Sequence, residues 1–134
     1  MNSTLYYIFL DDIRMPKDVK WVELPLVPWT IVRSYNEFVK VIENQGMPKF
    51  ISFDHDLGEE HYHPSMYSDD KEDYNRLYNT FKEKTGYDCA KWAVDYCMEK
   101  NLIFPEYTVH SMNPTGKTNI QSYIEQYKRI ASLL

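Results

Sequence analysis

The chain has 134 residues, 43% hydrophobic and 16% aromatic, which is enough to bury one core and excludes global disorder. Fifteen basic against twenty acidic residues give a net charge of −5. No basic stripe interrupts this balance, so a grip on duplex DNA through phosphate neutralisation is not expected.

In chain order, the first element is the apolar run from Tyr6 to Leu10, which stops abruptly at Asp11-Asp12. A short continuous apolar run of this kind reads as a strand buried on both faces, as in a parallel sheet. It is too short to span a bilayer, and neither a basic leader nor a small-residue cleavage pattern accompanies it. No membrane association is expected. Arg14 to Trp29 contains Pro16, Pro25 and Pro28, which argue against a full helix there. Thr30-Ile31-Val32 is a weaker strand, and Asn36 to Asn44 a helix carrying Phe38, Val39, Val41 and Ile42, stopped by Gly46 and Pro48. Phe50-Ile51-Ser52-Phe53 repeats the pattern of the first strand and ends in Asp54-His55-Asp56.

The stretch from about 59 to 84 is polar and charged and reads as an insertion, partly helical near Tyr74 to Lys84: a lid beside the site, or a disordered stretch. His61 and His63 within it read as solvated. Thr85-Gly86-Tyr87-Asp88 starts a helix to Lys100, with Asp88 as cap or outer ligand, and Cys89, Trp92, Ala93, Tyr96 and Cys97 form its apolar stripe. The two cysteines have no partner motif and no secretory signal, which suggests reduced thiols in a cytoplasmic protein. Tyr107-Thr108-Val109 is another strand, ending in His110-Ser111, and a last helix runs from about Asn119 to Leu134. Strands alternating with helices imply a parallel or mostly parallel sheet with helices on its faces, and no internal repeat divides the chain, so a single domain is expected over 1–134.

Three apolar strands thus end in ionisable residues: Asp11 and Asp12; Asp54, His55 and Asp56; His110, Ser111 and Asn113. In open α/β sheets ligands bind beyond the carboxyl ends of the strands. One Asp after a strand is commonly a helix cap. Four carboxylates at the ends of adjacent strands repel one another, and a bound divalent cation is the simplest relief. Oxygen-rich ligation favours Mg²⁺ or Mn²⁺, and a histidine in the first shell shifts preference toward a transition metal. Asp11, Asp12, Asp54 and Asp56 are the expected metal ligands. His55 and His110 are acid/base candidates, with Asp54 also counted among the catalytic residues. Arg14, Ser111, Asn113 and Lys117 are the expected phosphate-holding residues. The stretch Asn113 to Asn119 leading into the last helix is either an anion seat or an ordinary cap, and is not a Walker loop because the leading glycine is missing.

Four pieces in order, FLDDIRMP from Phe9, FDHDLG from Phe53, TGYDCAKW from Thr85 and VHSMNPTGKTNI from Val109, resemble the receiver-like domains described as cyclic-phosphate processing. The resemblance implies a three-layer α/β receiver-like domain with a short, mostly parallel four-stranded sheet, the first helix replaced by a loop and the fifth strand missing. It also implies acids after the first and third strands around a divalent cation. Asp11 and Asp12 match the receiver acidic pair, Asp54 or Asp56 stands at the phospho-accepting position, and Ser111 resembles the small hydroxyl residue after the fourth strand. The usual lysine of a fifth strand is not evident, Lys117 approaching only from another direction, and the histidines are foreign to signalling receivers. The expected activity is a metal-dependent phosphoesterase opening a cyclic nucleotide or a 2′,3′-cyclic RNA end. The alternatives are a cyclic-nucleotide-binding sponge that does not cleave, and a phospho-accepting receiver. Expected partners are a small phosphorylated or cyclic nucleotide or an RNA end, and a homo-oligomer is compatible with the composition.

Overall fold

The computed structural model describes residues 6–57 and 84–133. The polar segment expected to be an insertion therefore lies outside the described residues, apart from Lys84, and so do His61 and His63.

Four strands, β1 (Tyr7–Leu10), β2 (Trp29–Val32), β3 (Phe50–Phe53) and β4 (Glu106–Val109), form one sheet in the order β2-β1-β3-β4. All three pairings are parallel. The helices are α1 (Tyr35–Gln45), α2 (Gly86–Lys100) and α3 (Pro114–Ala131). This is the expected receiver-like α/β arrangement. Between β1 and β2 the chain makes only a 3-10 turn, Pro16–Asp18, as three prolines in that stretch require.

The helix boundaries follow from capping chemistry. Ser34 caps α1 by accepting from the Glu37 N–H, and Gly46 ends it with a positive φ of 84°. Thr85 and Asp88 form a reciprocal capping box on α2, so Asp88 serves as a cap. Helix α3 begins at Pro114, five residues before the expected Asn119. The reason is local: Asn113 accepts from the Gly116 N–H, and Pro114 has a backbone angle suited to a first helical position. Thr115, Gly116 and Lys117 are therefore first-turn residues and not a loop before the helix.

Register and pleat divide the sheet into two faces. Ile8, Leu10, Val32, Ile51, Phe53 and Val109 share one, and pack with Phe38 and Ile42 of α1, Cys89, Ala93 and Cys97 of α2, and Ile120 and Ile124 of α3. The opposite face presents Tyr7, Phe9, Trp29, Phe50 and Ser52, with the rings of Tyr7, Trp29 and Phe50 in mutual contact. The β1–β2 connection reaches back to the carboxyl end of the sheet, where Trp21 donates its indole N–H to the His110 carbonyl at 2.7 Å. Cys89 and Cys97 are buried free thiols. Among the described residues no helix is long and apolar enough to cross a membrane.

Candidate metal centre at the strand ends

The sheet positions the site by simple geometry. The register pairs Leu10 with Val32 and Phe53, and Phe53 with Val109, so Arg33, Asp11, Asp54 and His110 each stand one residue past the end of neighbouring strands. The ladder continues for that one residue: the Asp11, Asp54 and His110 N–H groups donate to the Val32, Leu10 and Phe53 carbonyls. Because side chains alternate, these residues turn away from the helical face. Asp11, Asp54 and His110 each offer a ligand atom within 4.8 Å of the others. They are 0%, 2% and 0% exposed, so their charges are not relieved by bulk water. Asp12 and Asp56, also expected as ligands, stand outside that group.

Asp11 is tightly held. Its Oδ1 accepts from the Ile13 and Arg14 N–H groups, at 3.0 and 2.8 Å, and its Oδ2 faces His110 Nε2 at 2.9 Å and the Arg14 guanidinium at 3.5 Å. Burial works to raise its pKa, but the hydrogen bonds from His110, Arg14 and Ile13 outweigh it and hold the carboxyl below the usual value. Asp11 is therefore an anion and accepts only.

The His110 imidazole reaches beneath β3. It stacks on Phe9 with ring centroids 4.6 Å apart, and its Nδ1 lies 2.6 Å from Ser52 Oγ. Burial pushes its pKa down, against the opposing pull of Asp11. A neutral ring facing an anionic carboxylate carries its proton on Nε2, so Nδ1 accepts from the Ser52 hydroxyl. Both ring nitrogens are engaged.

Asp54 contrasts with its neighbour. Its Oδ1 accepts from the His55 N–H at 2.9 Å, whereas Oδ2 is buried with no hydrogen-bond partner among the described residues. Burial, with the Asp11 and Asp56 charges, pushes its pKa up to about 8. An orphaned buried oxygen is costly, and close carboxylates resist joint ionisation. Two carboxylates and an imidazole around such an oxygen fit a divalent cation, which would satisfy Oδ2 and displace the Asp54 proton.

A second cluster adjoins the first. His55 Nδ1 pairs with Asp56 Oδ1 at 3.0 Å, and the Asn113 amide points its nitrogen at both Asp56 oxygens, 3.4 and 3.3 Å away. Asn113 thereby joins the cap of α3 to the β3 turn. Two glycines allow the helices to come this close: a Cβ on Gly86 would stand 1.7 Å from the Asp54 carbonyl oxygen, and one on Gly116 would stand 2.4 Å from His55 Cγ. The Gly86 N–H donates to the His55 carbonyl, so the positive end of α2 abuts the acidic turn.

Of the expected phosphate-holding residues, Arg14 lies at the rim, stacked on Trp21 with its guanidinium carbon 5.2 Å from the ring centre and touching Met112 Sδ at 3.4 Å. Ser111 is buried and accepts from the Asn113 N–H, and Lys117 is half-buried in the first turn of α3. Three residues escaped the sequence reading. Arg33 donates to the Asp11 and Arg14 carbonyls at 3.0 and 2.7 Å and so clamps the β1 turn. Trp21 fixes the His110 backbone, and Ser52 fixes the His110 ring. The signal for Ser52 was present, a lone hydroxyl inside the apolar run FISF. Nothing in the local sequence marks Arg33 or Trp21.

Fold and strand-end acids together define a receiver-like α/β domain whose carboxylate cluster includes an imidazole. Residues 6–126 match the family described as the cyclic-phosphate processing receiver domain, and the chain belongs to that family. No curated protein and no solved structure gives a significant match.

Proposed function

We propose that the protein is a metal-dependent phosphoesterase that opens a cyclic phosphate, on a cyclic nucleotide or a 2′,3′-cyclic RNA end. The observation that carries this reading is the orphaned Asp54 Oδ2, buried beside the ionised Asp11, in a member of a cyclic-phosphate processing family. A divalent cation, Mg²⁺ or Mn²⁺, supplies Lewis-acid charge at that point.

The chain's own groups divide the remaining work. Asp11 and Asp54 are the cation-binding carboxylates. Asp56, itself held by Asn113, orients His55; as water bonds to phosphorus and the ring P–O bond breaks, the imidazole delivers a proton to the departing alkoxide and regains one from the attacking water. His110 faces Asp11 with one ring nitrogen and Ser52 with the other, so both are engaged and it does not act as the proton donor. Arg14 and Lys117 supply positive charge at the rim, and the Ser111 hydroxyl hydrogen remains to donate to a phosphate oxygen.

The test is to incubate the pure protein with Mg²⁺ or Mn²⁺ and a panel of cyclic nucleotides and RNAs ending in a 2′,3′-cyclic phosphate. Phosphorus NMR is expected to show a phosphomonoester growing at the expense of one cyclic species, lost in Asp54→Asn and greatly slowed in His55→Gln. No turnover with any cation would contradict the reading, and recovery of an intact ligand from a tight complex would replace it with sequestration.

A further inference from the structure

Ser52 and His110 have a relation that the cation-binding carboxylates alone do not require. The imidazole is wholly buried, stacked on Phe9, and held between an acceptor-only carboxylate and a hydroxyl. A hydroxyl both donates and accepts, so Ser52 can partner Nδ1 in either tautomer of the neutral ring. His110 Nε2 and Asp11 Oδ2 are 2.9 Å apart. Two ligands at right angles on one cation, each bonded at about 2.1 Å, stand about 3.0 Å apart, so the spacing set by this hydrogen bond is one a shared cation tolerates, and Asp54 offers a third ligand atom within 4.8 Å of both.

We propose that His110 becomes a nitrogen ligand of the cation through Nε2, with Ser52 reversing its role to accept from Nδ1–H, and that the site therefore selects a transition-metal ion such as Mn²⁺ over Mg²⁺. The inference rests on the cation site of the preceding section and names the chemistry of its occupant. Protons balance without changing the charge of the ring: Nε2–H is lost to solvent and Nδ1–H is gained from it. The Nε2–H···Oδ2 bond is exchanged for two bonds to the cation. Mg²⁺ prefers oxygen ligands and keeps its waters, so an imidazole in the first shell disfavours it relative to a borderline ion. A ligating histidine fixed through its other nitrogen is the usual supporting arrangement, and loss of such a partner weakens metal binding about tenfold to about a hundredfold.

The test uses the full chain, Mn²⁺ alone as probe, and pulsed electron paramagnetic resonance, which detects a directly bound imidazole as nitrogen hyperfine coupling. Coupling is expected in the wild type and absent in His110→Gln. Isothermal titration is expected to show that Mn²⁺ binds at least about tenfold more tightly than Mg²⁺. Ser52→Ala is expected to weaken Mn²⁺ by about tenfold, with recovery in Ser52→Thr, circular dichroism reporting that each variant is folded. Mn²⁺ bound with no nitrogen coupling, or coupling that persists in His110→Gln, would overturn this inference while leaving an oxygen-ligated cation site intact. No binding of Mn²⁺ would overturn both. The wild-type spectrum decides the question even if a Ser52 variant does not fold.

Discussion

The turns after β1 and β3 carry the same residue type in the same register, and yet they do opposite things. Asp11 is saturated: two backbone donors, an imidazole and a guanidinium hold it ionised. Asp54 keeps one oxygen with no hydrogen-bond partner among the described residues, and its proton persists to about pH 8. The difference teaches that burial alone does not decide the charge of a carboxylate; the donors brought to it do. One half of the centre is completed by the fold, and the other keeps an oxygen that, on the proposed reading, a cation would complete.

The sharpest way to break this contrast is to remove each carboxylate in turn. Asp11→Ala strands the buried His110 Nε2–H and removes the acceptor of two part-buried backbone N–H groups, so the metal-free protein should lose about 3 kcal/mol in denaturant melts, and cation binding should disappear as well. Asp54→Asn should behave differently: calorimetry should find Mn²⁺ affinity reduced at least about a hundredfold, with no loss of metal-free stability. Equal destabilisation by both changes would show that the two turns are equivalent after all.

Titration sharpens the same point. In the folded protein Asp54 stays protonated to about pH 8, far above the usual 3.8. The folded state therefore holds a proton that the unfolded chain releases, and Asp54 stabilises least at high pH: metal-free stability should fall as pH rises from about 4 to about 8 and level off beyond. Cation binding should have the reverse trend, tightening by about tenfold per pH unit up to about pH 8, because one proton must leave. Thermal melts across that range, with and without Mn²⁺, should show the two slopes, and Asp54→Asn should flatten both.

Smaller effects test the supports. Gly116→Ala would push a methyl into the His55 ring, and the expected loss of about 2 kcal/mol should come with displaced His55 resonances. In Arg33→Lys the two carbonyl bonds that Nη1 alone donates would have to come from a more strongly hydrated ammonium, and the Nη2 contact with Met15 Sδ is lost, which should cost about 1 kcal/mol in the same melts, with a modest weakening of Mn²⁺.

Much of this arrangement was legible in the sequence because strands buried on both faces are written as apolar runs. YIFL, FISF and the strand ending at Val109 each stop at a titratable residue, and in a parallel sheet three such stops become neighbours. The prolines after Arg14 announced a connection without a full helix. What the chain did not disclose is which acid has which partners. Asp11 and Asp54 both read as an Asp after a strand; their difference arises from the donors brought to Asp11, the Ile13 and Arg14 N–H groups close by in the chain and the His110 imidazole, which sequence separation hides. The start of α3 was misplaced because TGKTN has no apolar period, while Asn113 and Pro114 set the boundary by capping.

The position of a bound cation is the most direct test of the strand-end centre. Crystals grown with Mn²⁺ and measured near the manganese absorption edge should give an anomalous difference peak within bonding distance of the Asp11 and Asp54 carboxylates. Well-diffracting crystals that contain Mn²⁺ but give no peak there, or give one only on the surface, would contradict it.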